Sequence, residues 1–326
     1  MYESFYGLTA RPFQLTPDPG FFFGSPGHSR ALAYLHYGVQ QGEGFVVVTG
    51  DVGTGKTTLA RMLYEELERS REVVVAQLTM TQCTSEELMR MIAAGFGLAY
   101  EGRTLATLNA ELEAFLRQQH AAGRTSLLLI DEAQNLPAEV LETLRMLTNI
   151  QVGRRSLLQT LLLGQIEFRQ ILLAPSAKQL RQRVVACYHL LPLATIEETR
   201  AYIEHRLGHV GWRGDPEIDA EAFERIEAFT HGVPRRINTF CDRLLLYGFL
   251  EELHVITAAT VDAVGAEIAA DLPLLPRPDD GPAASDTTAD AAPESRVADL
   301  ERRLRTLEEA VQGARDGLHR ALSQGC

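Results

Sequence analysis

The sequence predicts an α/β protein with a parallel-sheet core, a helical lid and a C-terminal coiled-coil segment. Short apolar runs alternate with helix-period segments up to about residue 193, as expected for parallel strands covered on both faces. A glycine-rich turn follows the first run, and a carboxylate pair ends a later one. We expect an N-terminal strap and helix at 1–44, a core at 45–193, a helical lid at 194–270, a linker at 271–295 and a coiled-coil helix at 296–326.

The N-terminal segment is rich in proline, glycine and aromatic residues. Proline and glycine exclude a long helix there, yet the aromatic residues are too many for a solvated tail. We expect this strap to pack on the domain that follows it, with a helix from Ser29 to about Gln41. His28 or Tyr37 then either touches a bound base or serves only in core packing.

A β-branched run, a glycine-rich turn and a leucine periodicity follow one another between Phe45 and Leu67. The turn has the spacing Gly-x4-Gly-Lys-Thr between a strand and a helix start, which is the context of a phosphate-binding loop. The predicted loop residues are Gly50, Asp51, Val52, Gly53, Thr54, Gly55, Lys56, Thr57 and Thr58. Glycines let successive N–H groups face an anion, and the helix start adds its positive dipole end.

Two side chains of this loop predict a nucleoside triphosphate and a metal ion. Lys56 is placed to bridge the β- and γ-phosphates, and the Thr57 hydroxyl to ligate Mg²⁺. Further along the chain, the buried strand 125–130 ends in Asp131 and Glu132. We expect Asp131 to hold the Mg²⁺ shell opposite Thr57, and Glu132 to polarise the attacking water. ATP and Mg²⁺ are therefore the predicted cofactors.

A further buried strand, 157–165, ends in Gln165, which either senses the γ-phosphate or the water or simply ends the strand. An extra strand between the phosphate-loop strand and the Asp-Glu strand indicates the additional-strand class of phosphate-loop ATPases. Arg183 follows at the rim of the sheet, with Arg181 as second choice for reaching the γ-phosphate of a neighbouring subunit. Surface salt bridges are the alternative for both arginines.

The lid segment reads as wholly helical, and its third helix opens with Pro234 and Arg235. Proline in the first turn fixes the helix start, which makes Arg235 a candidate for contacting the nucleotide. Beyond residue 271 a Pro, Ala and Asp mixture predicts a linker. Apolar residues from Val297 to Leu318 then alternate three and four apart, which predicts a coiled coil that binds itself or a partner.

Composition narrows the function classes. The formal charge of −12 disfavours general attraction to nucleic acid or anionic lipid. The cysteines form no C-x-x-C pair, so a zinc site or a disulfide framework is not expected. The sequence lacks an apolar run of about eighteen residues and a signal-peptide pattern. We expect a cytoplasmic protein that reaches the inner membrane only through a partner.

Taken together, these motifs resemble AAA+ ATPases of the general secretion pathway protein A type, and in particular the secretion ATPases of PEP-CTERM/exosortase loci beside genes for exopolysaccharide export. The resemblance covers about residues 1–265. It rests on the aromatic strap, the phosphate loop, Ile130–Gln134, Leu144–Asn149, Gly164-Gln165, Gln182–Val184, Tyr202–Leu207 and Gly232–Asn238.

The resemblance implies roles for individual residues. Lys56, Thr57, Asp131 and Glu132 carry ATP and Mg²⁺, Gln165 is sensor 1, Arg183 the arginine finger and Arg235 sensor 2. It also implies a homo-oligomer with a protein partner in an envelope or export complex. Membrane-bound relatives continue into a transmembrane helix and a peptidoglycan-binding domain, whereas a linker and heptads follow here. Cys187 stands where relatives often carry a basic residue, so the finger assignment rests on Arg183.

Two other functions remain open at this point. A DNA-associated ATPase of the transposition target-selection type shares such a core, but needs a basic surface. Arg154-Arg155 and Arg235-Arg236 are the only short basic clusters of the ATPase region. A nucleotide-gated scaffold acting through the heptads is the third possibility.

Overall fold

The computed structural model describes residues 1–16, 18–79 and 82–271. The chain divides into two compact units, residues 1–272 and 273–326, and the second lies outside the described residues. The predicted coiled coil also lies outside them, as do Pro17 and the predicted linker except Asp271. The linker and the coiled coil therefore stay predictions.

The described chain contains helices and strands in the order that the sequence predicts for its core. The helices are α1 Tyr2–Phe5, α2 Pro26–Gln41, α3 Lys56–Glu68, α4 Ser85–Gly95, α5 Leu105–Ala121, α6 Ala138–Leu147, α7 Ile166–Leu173, α8 Lys178–Arg181, α9 Ile196–His209, α10 Ala220–Thr230, α11 Pro234–Leu250 and α12 Ala258–Asp271. The strands are β1 Phe45–Gly50, β2 Val73–Thr79, β3 Thr125–Asp131, β4 Gln151–Val152, β5 Arg155–Ser156, β6 Leu158–Gly164, β7 Val184–Leu190, β8 Glu217–Ile218 and β9 Val255–Ile256. Within the described ranges, no helix has the length and apolarity that crossing a membrane requires.

The core is a five-stranded sheet in the order β2-β3-β6-β1-β7, with every neighbouring pair parallel. Strand β6 lies between the phosphate-loop strand β1 and the Asp-Glu strand β3. Every residue of β1 and β6 is buried. Because the strands are parallel, their carboxyl ends share one edge, and Gly50, Asp131 and Gln165 all come at or directly after such an end.

Alternate residues of each central strand enter different hydrophobic clusters on the two faces of the sheet. Leu128 and Ile130 of β3 belong to the cluster that includes residues of α4, α5 and α6. Leu127 and Leu129 belong to the cluster that includes residues of α2 and α3. This double burial explains why the strands read as continuous apolar runs.

The lid contains α9 to α12, as predicted, but it is not wholly helical. Strands β8 and β9 pair in parallel as a small separate sheet. Ile256 of β9 is fully buried in the lid cluster. Two-residue strands carry no period that a sequence pattern can reveal, which is why the prediction missed them. The hairpin of β4 and β5 was not predicted either, for the same reason.

The aromatic strap packs on the lid, and the expectation that it packs on the following domain is wrong for residues 2–13. Tyr2, Tyr6 and Phe13 are buried in the lid cluster. Arg206 of α9 donates from Nε to the Pro12 carbonyl oxygen at 2.6 Å. A partner so distant in the sequence leaves no local signal, although the aromatic content correctly indicated a buried segment.

We predict that Phe13→Ala destabilises the protein by about 3–5 kcal/mol, because it opens a cavity between strap and lid. Phe13 is 3% exposed, whereas Leu15 of the same strap is 57% exposed. Leu15→Ala is the matched control and should change stability by no more than about 0.5 kcal/mol. Urea unfolding of the three proteins measures the difference, and equal stabilities would contradict the packing of the strap on the lid.

Candidate functional site

The glycine-rich loop lies between the end of β1 and the start of α3, as predicted. Gly53 and Gly55 have positive φ angles of 87° and 98°, a region where other residues are strained. A Cβ at Gly53 would lie 2.6 Å from Arg235 Cβ, and one at Gly55 would lie 2.8 Å from His28 Nε2. Both positions therefore need glycine for the backbone path and for the close approach of neighbouring elements.

The first turn of α3 presents backbone amides that no side chain caps. Its N-cap residue is Gly55. The loop before it is folded on itself, since buried Thr54 donates from Oγ1 to the Asp51 carbonyl oxygen at 2.9 Å. Val52 and Thr58 line the cavity in front of the loop. Uncapped amides at the positive end of a helix form a site for an anion.

Lys56 lies under this loop with 7% of its surface exposed. Its Nζ donates to the carbonyl oxygens of Gly50 at 2.7 Å and Asp51 at 2.8 Å. Burial lowers the pKa of the Lys56 ammonium, while the nearby carboxylates of Glu132 and Asp131 act in the opposite direction. No ion pair joins Lys56 to a carboxylate among the residues described. A buried cation that is hydrogen-bonded to carbonyl oxygens rather than to a carboxylate is well suited to an anionic ligand.

Asp131 is the buried carboxylate opposite this lysine. Thr57 donates from Oγ1 to Asp131 Oδ2 at 2.7 Å, and the Glu132 amide donates to Asp131 Oδ1 at 2.9 Å. Asp131 is 2% exposed, and burial raises the pKa of its carboxyl group above the ordinary value. No cation pairs with it in the described part of the chain. A buried carboxylate without a cation, bonded to a hydroxyl, is a donor set that fits Mg²⁺.

The described residues contain no group of three or more His, Cys, Asp or Glu side chains that could hold a metal by themselves. Mg²⁺ in phosphate-transfer sites needs no such cage, because it uses one or two protein oxygens together with water and substrate phosphates. The Thr57 hydroxyl and the Asp131 carboxylate meet this smaller requirement.

Glu132 follows Asp131 at the end of β3 in a left-handed conformation, with a φ of 57°. Its Oε2 accepts hydrogen bonds from Gln134 Nε2 at 2.5 Å and Gln165 Nε2 at 3.2 Å. The predicted catalytic glutamate and the predicted sensor glutamine are therefore in direct contact. Gln134 ends the segment Ile130–Gln134, which is one of those that carry the resemblance, but the sequence predicts no role for this residue.

A cavity of about 350 Å³ joins these groups. Its walls come from the glycine-rich loop, the end of β3, the start of α7, the strap and the lid. Lys56, Thr57, Glu132, Gln165 and Arg235 all line it. The structure thus brings these predicted site residues together with the loop residues Val52, Gly53, Gly55 and Thr58, and Asp131 contacts Thr57 behind them.

The lid contacts the glycine-rich loop directly through the first turn of α11. The Arg235 amide donates to the Gly53 carbonyl oxygen at 3.1 Å. Further from the loop, Tyr202 OH donates to Asn238 Oδ1 at 2.8 Å and accepts from Arg206 Nη1 at 3.0 Å. These three side chains also line the cavity, so α9 and α11 together form its lid side.

His28 lies below the loop, at the start of α2. Its Nε2 lies 2.9 Å from the Thr54 carbonyl oxygen and its Nδ1 lies 2.8 Å from Ser25 Oγ. Burial lowers the pKa of His28, so the neutral ring, with Nε2–H donating to Thr54, is favoured. Tyr37, the alternative residue for touching a base, is 50% exposed and does not line the cavity.

Arg183 does not join the cavity of its own chain. It precedes β7, whose first residue pairs with Phe45 at the amino end of β1. The phosphate loop lies at the other end of β1, roughly 20 Å away along a six-residue strand. Arg183 Nη1 donates to Thr148 Oγ1 at 2.6 Å, and Nη2 contacts Asn149 Oδ1. Arg181 donates from Nη1 to the Leu172 carbonyl oxygen at 2.7 Å.

Surface salt bridges were the alternative for Arg181 and Arg183. Among the described residues, neither arginine forms one, since both contact neutral oxygens. Thr148 and Asn149, whose side-chain oxygens contact the Arg183 guanidinium, directly follow α6. The sequence predicts that α6 continues to Asn149, but it ends at Leu147.

The chain is similar to known proteins in sequence and in fold. Residues 39–172 match the family model of an AAA domain. The chain is 39% identical over 269 residues to general secretion pathway protein A of Aeromonas hydrophila. That alignment covers 82% of this chain and 48% of the relative, so the chain spans about half the length of that protein.

Solved structures share the fold at low sequence identity. ORC2 of Aeropyrum pernix, in ADPNP-ADP complexes, is 18% identical with a TM-score of 0.55, over 74% of this chain and 66% of that one. CDC6P of Pyrobaculum aerophilum is 15% identical with a TM-score of 0.59, over 82% and 71%. The RuvB branch migration motor of Thermotoga maritima is 20% identical with a TM-score of 0.52, over 78% and 73%.

These findings define the class: the chain has the AAA+ P-loop fold, with the predicted parallel sheet and phosphate loop. Within that class, the sequence is similar to general secretion pathway protein A, with 39% identity over 269 residues.

We predict that the stability of this protein falls as the pH drops below about 6.5, in part through His28. Its pKa is lowered by burial from the ordinary value of 6.5, so the unfolded chain takes up a proton at a higher pH than the folded one. The contribution of His28 is complete above that pH and is lost on acidification. His28→Gln should show a shallower loss between pH 7 and pH 5 in urea unfolding. Parallel pH curves for the two proteins would exclude this role.

Proposed function

We propose that this protein hydrolyses ATP in a Mg²⁺-dependent reaction and couples hydrolysis to movement of its lid. The proposal depends on one observation: Lys56, Thr57 and Glu132 converge on a single cavity, with Asp131 bonded to Thr57 behind them. A buried ammonium, uncapped helix amides and two neighbouring carboxylates are the parts that phosphoanhydride hydrolysis uses.

Each of these residues has a distinct task in the proposed reaction. Lys56 and the amides of residues 50–58 bind the phosphates and hold the γ-phosphate in place. Thr57 and Asp131 hold Mg²⁺, which when bound neutralises charge on the phosphate oxygens. Glu132 orients the attacking water and accepts its proton. Gln165 donates its amide to the γ-phosphate or the water.

The lid completes the proposed site and responds to the nucleotide bound there. Arg235 is the residue that links α11 to the phosphates, because it lines the cavity next to its own amide contact with Gly53. The strap and α9 enclose the other end of the cavity, where Phe21, Phe22 and Tyr202 provide apolar surface for a purine base. Loss of the γ-phosphate would release Arg235 and with it the lid.

The biological system is proposed from the relationship to general secretion pathway protein A. We infer that the protein acts in secretion, exopolysaccharide export or envelope assembly, and that a PEP-CTERM/exosortase system is one such setting. It would work in the cytoplasm and reach the inner membrane through a protein partner.

We propose a homo-oligomer, and the position of Arg183 supports it. Because it lies at the amino edge of the sheet, it is too far from the phosphates of its own chain to touch them. In a ring or filament, this edge would face the cavity of the next subunit, where an arginine neutralises the developing charge. Thr148 and Asn149 would hold the guanidinium ready for that contact.

A DNA-associated ATPase is the second candidate, and one observation favours it. Arg154 and Arg155 are exposed on the β4–β5 hairpin, whose tip is Gly153. Such a hairpin is able to contact phosphates of a strand. Fluorescence anisotropy with DNA at low salt, with and without ATP, tests it. Tight, salt-sensitive binding that Arg154→Ala abolishes would favour this function over a role in secretion.

We predict that Glu132→Gln retains ATP binding but lowers turnover by about 10²-fold or more, because the general base is lost. Lys56→Ala should instead weaken ATP binding by about tenfold or more, since a charge-assisted contact disappears. Binding is measured with a fluorescent ATP analogue and turnover by phosphate release. Glu101→Gln, at an exposed position away from the cavity, is the matched control. Undiminished turnover in Glu132→Gln would remove Glu132 from its proposed role.

We predict that Arg183→Ala lowers turnover by about 10³-fold with unchanged ATP affinity, because the residue acts on a neighbour's nucleotide. Arg181→Ala is the matched control and should remain near the wild-type rate. Phosphate release is measured at protein concentrations where the oligomer forms. A greater loss in Arg181→Ala than in Arg183→Ala would transfer the role to Arg181.

A further inference from the structure

The Glu132 carboxylate is held on one side only. Its Oε2 accepts two amide hydrogen bonds, from Gln134 Nε2 at 2.5 Å and from Gln165 Nε2 at 3.2 Å. Its Oε1 accepts none from the described residues. One oxygen is therefore restrained by the protein, and the other is available to a molecule in the cavity, which Glu132 lines.

Gln134 uses both ends of its amide. While its Nε2 donates to Glu132, its Oε1 accepts a hydrogen bond from the backbone amide of Gln165 at 2.9 Å. The side chain thus spans the space between the end of β3 and the end of β6. Only an uncharged amide of this length donates at one end and accepts at the other. A glutamate has no donor for Glu132, and alanine makes neither bond.

The backbone around Gln134 fits this bridge. Glu132 adopts a left-handed φ of 57°, a conformation that a residue with a side chain keeps only when its surroundings enforce it. A short 3-10 turn at Ala133–Asn135 follows at once, and Ala133 is fully buried, which fixes where Gln134 stands. On the facing strand, a Cβ at Gly164 would lie 3.2 Å from Gln134 Oε1. Glycine at position 164 leaves room for the bridging amide.

We propose that Gln134 is a positioning residue that aligns Glu132 for proton abstraction by tying it to the tip of the sensor strand β6. This inference rests on the proposed ATPase function. Gln134 acts through Glu132 and through the Gln165 backbone, and it does not line the cavity itself. The bridge fixes Oε2 and leaves Oε1 to the attacking water. It also transmits any shift of Gln165 to the base, because both amides meet on the same oxygen.

The test is steady-state ATP hydrolysis by the full chain, with kcat and KM determined separately for wild type, Gln134→Ala and Gln134→Glu. Gln134→Ala should lower kcat by about 10²-fold with KM for ATP changed less than about twofold, since misplacing a catalytic group by 1 Å has an effect of this size. Gln118→Ala, an exposed glutamine on α5, is the matched control and should match wild type.

The separation of kcat from KM distinguishes positioning from a merely structural role. Gln134→Glu keeps the length of the side chain but replaces the amide donor to Glu132 by a carboxylate oxygen. It should therefore lower kcat as Gln134→Ala does, with KM for ATP changed less than about twofold. If Gln134→Ala fails to fold by circular dichroism, the kcat of Gln134→Glu decides.

Two results would overturn the inference. A kcat of Gln134→Ala within about twofold of wild type would show that Glu132 needs no bridge, and an increased kcat would show that the bridge restrains an inactive base. Either result leaves the ATPase function itself intact. If wild type releases no phosphate, the proposed function fails first.

Discussion

The hydrogen bond between Thr57 Oγ1 and Asp131 Oδ2 is the contact on which the rest of the site depends. It joins the first turn of α3 to the end of β3, although β6 separates β3 from the phosphate-loop strand. The contact is possible because three parallel, fully hydrogen-bonded strands end at one edge of the sheet. Burial of Asp131 and Lys56 is unfavourable by itself. The two-sided apolar core of the sheet offsets this cost and holds both charges ready for a ligand.

A second set of contacts connects this edge to segments that are distant in the sequence. The lid reaches the loop through the Arg235 amide and Gly53, and Arg206 fastens the lid to the strap. His28 supports the loop from below. Strap, lid and loop therefore enclose one cavity. In contrast, Arg183 lies at the opposite edge of the sheet, next to the amino end of β1.

Much of the fold and the chemical centre of the site were predictable from the sequence, because local patterns determine them. The loop spacing fixes Lys56 and Thr57, and the apolar run before Asp131 fixes a buried parallel strand. Positions that depend on distant contacts were not predictable. The packing of Phe13 on the lid involves residues nearly two hundred positions apart. The two hydrogen bonds of the Gln134 side chain depend on the distance between the ends of β3 and β6, and a sequence pattern contains no information on that distance.

The same distinction explains the errors at element ends. The sequence pattern predicts a strand at 72–78, whereas β2 spans Val73–Thr79. It predicts a helix at 138–149, whereas α6 ends at Leu147, and it predicts that α2 begins at Ser29. Helix α2 begins at Pro26, where Ser25 caps it by accepting from the His28 amide. Helix ends depend on such single hydrogen bonds, so they are less strongly determined than the apolar face of the helix.

Metal binding followed by electron paramagnetic resonance tests the central claim most directly, with Mn²⁺ used in place of Mg²⁺. If Thr57 and Asp131 form the metal site with nucleotide phosphates, wild-type protein binds about one Mn²⁺ per chain when ATP is present and little without it. Asp131→Asn should lose that bound signal. An equal signal in Asp131→Asn, or Mn²⁺ binding that does not depend on ATP, would contradict the account.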